Sequence, residues 1–285
     1  MFVGEKPDLL DFWVFREDLI YVVGKDGIPQ VFDGKIWSRA VTENRNPLMG
    51  IWASSESDIY TAGIGGIVLR YDGAKWNQVD TGNFDSLNAI YGYDASHVFI
   101  FGVGGRVLFW NGTGWEYREP NTIHDLFCFW GEDINHIYAV GGEGIFRFYD
   151  GKEFQRREEL TEETISLFGV WGTSTNSVYV VGSEGNILHF DGKEWKKMES
   201  GTEEYLLSVW GTSDDNIFAV GDNSTILRFD GKKWNPMETC TEEYFAKVRG
   251  LGPNCVYAVG ENGCVIKYDG KKWNDMSLGI QHYDE

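Results

Sequence analysis

The chain has 285 residues, 44 acidic against 25 basic, for a formal net charge of −19, and 15% of it is aromatic. A surface of that sign repels phosphate backbones and anionic headgroups, which argues against nucleic acid and membrane insertion and admits a basic protein partner. Nor does any apolar run approach the length of a membrane span.

Residues 1–8, M-F-V-G-E-K-P-D, form an extension without the apolar stretch of a signal peptide. A repeat then fills the chain. Its Asp-Gly step falls at Asp33, Asp72, Asn111, Asp150, Asp191, Asp230 and Asp269, at intervals of 39, 39, 39, 41, 39 and 39 residues. The Gly of a Val-Gly-type step gives the same series: Gly24, Gly63, Gly102, Gly141, Gly182, Gly221 and Gly260. A third column reads Trp13, Trp52, Tyr91, Trp130, Trp171, Trp210 and Arg249. Three columns agree on seven copies, spanning 9–47, 48–86, 87–125, 126–166, 167–205, 206–244 and 245–285, with the two extra residues between Asp150 and Trp171.

Each copy holds four short β-type runs. In the sixth they are Tyr205 to Trp210, Asn216 to Val220, Thr225 to Phe229 and Trp234 to Met237, bounded by Gly, Asp, Asn and Ser. The last two are joined through Asp-Gly, where glycine supplies a positive φ without a steric cost. Four antiparallel strands every ~40 residues are the sequence form of a propeller blade. The expected fold is therefore all-β, one seven-bladed β-propeller over 1–285. The copies begin and end in phase, so no exchanged strand is expected to close the ring. Blades 1 and 7 carry Asp11 and Lys247 at one repeat position, which predicts that the two side chains lie close across the seam, against the alternative of unrelated drift.

The four cysteines, Cys128, Cys240, Cys255 and Cys264, have no C-x-x-C spacing. Reduced, mostly buried thiols in a cytoplasmic setting are expected. The turn at Glu261-Asn262 would set Val259, not Cys255, opposite Cys264. All twelve tryptophans fall in three repeat columns, which predicts packing between twisted sheets. Sugar stacking between blades, as in a propeller lectin, is the alternative and would make a glycan the ligand. The glycines that close V-G-x-x-G serve a turn, and Ser224 departs from them, with Asn223 beside it to take the unusual backbone. The histidines His97, His124, His136, His189 and His282 share no metal-ligand spacing, and no G-x-S-x-G elbow is present. No catalytic residue, metal or cofactor is expected. The triplets Thr161-Glu162-Glu163, Thr202-Glu203-Glu204 and Thr241-Glu242-Glu243 are repeat-encoded. Only His124 with Arg118 and Asp125 forms a polar cluster outside the repeat.

Connections from each fourth strand to the next blade should share a face with those between strands two and three. On blades 4 to 7 that face carries Glu143, Glu158, Glu159, Glu162, Glu163, Glu184, Glu199, Glu203, Glu204, Asp222, Glu238, Glu242, Glu243 and Glu261. Blades 2 and 3 offer Ile64, Phe84, Val103 and Ile123. An acidic crescent beside an apolar sector would suit a partner with a basic stripe and an apolar anchor. Solubility charge is the plainer alternative.

The turn [F/Y/W]-[D/N]-G-x-x-[W/F] resembles the Asp-box, or BNR, turn of sialidase-type propellers, although that motif has a residue between Asp and Gly. The whole repeat, V-G-x-x-G followed by I-L-x-[F/Y]-D-G-x-x-W, is similar to the propellers of photosystem II assembly factors. It is also similar to prokaryotic repeat proteins sharing V-W-G-T-S. The resemblance implies a propeller but no glycosidase, since no sialidase arginine triad can be matched. The function expected is a non-catalytic scaffold that engages a protein through one rim and the channel mouth.

Overall fold

The computed structural model describes residues 6–156 and 165–278. Among them are seven four-stranded antiparallel sheets, each a simple meander in chain order. Inner strands of consecutive sheets pack side by side, and Leu9–Arg16 packs on Phe245–Gly252, so the ring closes. The chain is a seven-bladed β-propeller, closed without an exchanged strand.

Blade 6 shows the common plan. Its strands are Leu206–Ser213, Asn216–Gly221, Ile226–Phe229 and Trp234–Pro236. The inner strand runs three residues beyond the sequence expectation: Gly-Thr-Ser stays in the strand across a bulge, and Asp214-Asp215 alone make the turn.

Two local devices shape every blade. In the Asp-Gly turn, the side-chain oxygen accepts the amides two and three residues on. On Asp33 these come from Lys35 and Ile36, both at 2.9 Å, and on Asp230 from Lys232 and Lys233 at 2.9 and 3.0 Å. The following glycine takes φ between 86° and 92°. These amides favour the ionised carboxylate and hold Asp33, Asp72, Asp150 and Asp230 below the usual carboxylate range, with Asp269 at about 2. Asp191 is lowered first by Lys196, 2.7 Å away, and then by the same amides. The second device is the Val-Gly step. A Cβ on Gly221 would overlap the carbonyl oxygen of Tyr205, so glycine is needed there for close approach.

The inner aromatic column and the glycine after it interlock between blades. A Cβ on Gly172 would come within 2.9 Å of the Trp130 ring, on Gly211 within 2.9 Å of Trp171, and on Gly250 within 2.8 Å of Trp210. Each of these tryptophans, and Trp52 against Gly92, thus fills space that the next blade's glycine leaves open, while Trp13 has Ala53 at that place. This is why Trp-Gly repeats as a pair. Where Tyr91 stands in the column, the Tyr93 hydroxyl fills the space over Gly131. The outer column buries Phe154, Trp234 and Trp273 in the same wedges. None of the twelve tryptophans is exposed, although most are only half-buried.

The seam departs from this rule. Arg249 occupies the tryptophan position, and Val14 stands where blades 3 to 7 have glycine. The guanidinium lies 4.8 Å over the Trp13 ring, Nη1 donates to Phe12 O at 3.0 Å, and Nη2 lies 3.8 Å from Asp11. Asp11 is only 4% exposed, and its oxygens accept the amides of Phe12 and Ile51. The cation that meets Asp11 across the seam is Arg249, and Lys247 makes no ion pair among the described residues. The side chain two places along the same strand has the reach and the planar shape to cover Trp13. The extension completes the joint. Gly263 N donates to Pro7 O at 2.8 Å, as Gly185 N donates to Glu204 O at an ordinary junction, and Leu278 is buried among Leu9 and Phe12.

Three smaller expectations need correcting. Cys240 is exposed, whereas Cys128 and Cys264 are buried and burial pushes the Cys264 thiol up to about 12. Val259 pairs with Val265, one residue off the expected Cys264, because the turn spans Glu261–Gly263. Ser224 itself adopts the left-handed backbone, φ 53°, together with Asn223 at 48°.

Candidate partner-binding face

In a four-stranded meander, the second connection and the interblade connection emerge on one side. Contacts between them confirm it. Gly104 N donates to the Asp125 carboxylate at 2.8 Å, Asn223 Nδ2 to Glu204 at 2.8 Å, and Asn262 Nδ2 to Glu243 at 3.0 Å. The Thr-Glu-Glu triplets are part of this framework: Thr202 Oγ1 accepts the Glu204 amide and Thr241 Oγ1 the Glu243 amide, at 3.1 and 3.2 Å. Expected crescent members Glu158, Glu159, Glu162 and Glu163, the triplet from Thr161, and His282 lie outside the described residues.

Two loop columns on this face divide it into sectors. Three residues before each inner strand stand Lys6, Arg45, Phe84, Ile123, Thr164, Glu203 and Glu242 in blade order, Thr164 being outside the described residues. The first residue of the second connection reads Lys25, Ile64, Val103, Gly142, Ser183, Asp222 and Glu261. Both columns start cationic, turn apolar, pass a hydroxyl residue at blade 5 and become acidic at blades 6 and 7. Phe84 is 86% exposed and Ile123 83%, with Ile64 and Val103 at 38% and 39%. The cationic sector escaped the sequence reading, although aligning these two columns exposes it.

The acidic sector is under electrostatic load. Burial and then the Glu204 charge raise the Asp222 carboxyl, and partial desolvation with Glu243 and Asp8 raises Glu261. Lys25 relieves Asp8 through a 2.6 Å contact. Glu143 and Glu184 take left-handed φ of 53° and 55°, at a position that is Gly65 and Gly104 on the apolar blades. A β-carbon there costs about 1 kcal/mol.

Grooves run beneath the apolar loops. One of about 310 Å³ lies between Phe84, Asp85, Arg106, Trp115 and Tyr117, with Arg106 2.6 Å from Asp85 and 5.1 Å over the Tyr117 ring. The other, about 600 Å³, lies between Ile123, His124, Glu143, Arg147 and Arg156. His124 Nδ1 meets Glu143 at 3.2 Å, Asp125 accepts Gly104 N, and Arg118 pairs with Glu116 at 3.0 Å above the Phe109 ring. The three residues of the expected polar cluster therefore turn to three different partners. Among the described residues, no group of three or more His, Cys, Asp or Glu side chains is arranged to hold a metal, and no helix is long and apolar enough to cross a membrane.

No protein-family model matches this sequence, and no curated protein matches it. Solved structures do. A structure of YCF48 bound to D1 peptide superposes with a TM-score of 0.77 at 15% identity, covering 93% of this chain and 94% of that one. YCF48 from Cyanidioschyzon merolae gives 0.75 at 14% identity, covering 93% and 96%. The WD40 β-propeller domain of Doa1 gives 0.77 at 10%, covering 92% of each. The likeness is one of fold, and it agrees with the resemblance to photosystem II assembly factor propellers.

Proposed function

We propose that this propeller is a non-catalytic scaffold that holds a protein segment across the face carrying its second and interblade connections. The segment seats apolar side chains on Phe84 and Ile123 and lays basic residues over Glu184, Glu204, Asp222, Glu243 and Glu261. The carrying observation is that two separate loop columns, apolar earlier in the ring, both become acidic at blades 6 and 7. A D1 peptide bound to a propeller of this shape supports the reading by analogy. A basic segment would relieve the raised carboxyls of Asp222 and Glu261, and an apolar anchor supplies the desolvated centre that an interface needs.

The test is capture from host lysate with a salt-gradient elution, run in parallel on three forms. Wild type should retain a dominant partner that is released at moderate salt, because screening weakens exposed ion pairs. Phe84→Glu with Ile123→Glu should lose that partner. Glu204→Lys with Glu243→Lys should lose it as well or release it at lower salt. The apolar double variant should keep wild-type stability within about 0.5 kcal/mol, and the lysine pair should lose about 1 kcal/mol for each exposed hydrogen bond from Asn223 and Asn262. Undiminished capture by both variants would overturn the proposal.

A further inference from the structure

The central channel carries a feature that the face does not explain. Two residues before the inner aromatic column, Gly50, Ala89, Cys128, Gly169 and Ser208 are all small. Asp11 at that position is buried and turned onto backbone amides. Cys128 and Ser208 of that set line a cavity of about 280 Å³ walled by Trp13, Tyr91, Trp130, Trp171 and Trp210. Lys247 is the one long side chain of that ring directed to this cavity, and it is half-buried there. The other cation, Arg249, is engaged by Phe12 O, Asp11 and Trp13. Among the described residues Lys247 makes no ion pair or side-chain hydrogen bond, and no carboxylate lines the cavity.

We propose that the channel is a binding site for a small planar aromatic carboxylate, with its ring among the indoles and its carboxylate on the Lys247 ammonium. Half-exposed indole edges offer tilted or edge-on contacts to a flat ring. An ammonium in a partly dry site favours an ionised acceptor over a neutral one. The volume is at the small end of ligand pockets, which suits one or two fused rings and excludes a folded segment. The short screening length in physiological salt confines the repulsion of the acidic rim to the outer surface. The site stands apart from the partner-binding face, and neither reading depends on the other.

The test is calorimetric titration of the full chain with 2-naphthoate and its neutral isostere 2-naphthamide. Wild type should bind one naphthoate saturably and about tenfold tighter than the amide, the size of one charge-assisted hydrogen bond. Lys247→Met should lose that preference with an unchanged melting temperature, Lys247→Arg should keep most of it, and Phe84→Glu with Ile123→Glu should bind as wild type does. Equal affinity for acid and amide, equal acid affinity in Lys247→Met and wild type, or no saturable heat at millimolar ligand would each overturn the proposal.

Discussion

Blades 5 and 6 meet through Trp171 and Gly211, and at the junction of blades 7 and 1 the same repeat positions hold Arg249 and Val14. The two junctions occupy the same repeat positions. At the first, a flat indole lies on a glycine that makes room for it. At the seam, a flat guanidinium lies over Trp13, and valine can stand where glycine was needed. The geometry of a blade junction thus belongs to the inner strand, while its chemistry can change: at the seam both members differ from the Trp-on-glycine pair. The aromatic junction is held by burial and is indifferent to pH. The seam adds to its buried apolar contacts one cation with three partners: a carbonyl, a ring and a buried carboxylate.

Truncation should separate the two most strongly. Trp171→Ala removes a large half-buried side chain from the wedge and should cost about 3 kcal/mol in urea unfolding. Arg249→Ala loses a charged hydrogen bond and the stacked cation and should cost about 2 kcal/mol. Equal losses would mean that the seam is as tightly built as the other junctions, and the distinction would fail. Exchange is the next test. Gly211→Val would crowd Trp171 and should cost about 1–3 kcal/mol. Arg249→Trp would meet Val14 in the same way, and adding Val14→Gly should recover part of the loss. If Val14→Gly does not improve Arg249→Trp in unfolding midpoint, the paired-change rule is wrong.

The smallest effect separates the seven turns from both kinds of junction. The Asp-Gly carboxyls titrate below their unfolded values, so the stability they contribute is present above about pH 4 and is lost as pH falls through their folded values. Melting temperature should be level near neutrality and fall between about pH 4 and pH 2. Replacing Asp230 by Asn, the residue already present as Asn111 in blade 3, should shallow that acid slope slightly. An unchanged slope would show that the acid limit is set elsewhere.

The sequence by itself determined the blade count, the four strands per blade, the Asp-Gly turns and the side of the ring on which the acidic and apolar loops emerge. These follow from signals that are local and written seven times: a turn needs its own Asp and Gly, and a meander alternates its connections between two faces. Tertiary structure decided what depends on the neighbouring blade. It set Arg249 on Asp11, placed Trp52, Trp130, Trp171 and Trp210 over the next blade's glycine, turned His124, Arg118 and Asp125 apart, and left Lys247 facing the channel. Spacing along one strand gives the face a side chain lies on, but the twist and approach of the adjacent sheet decide which atom it reaches.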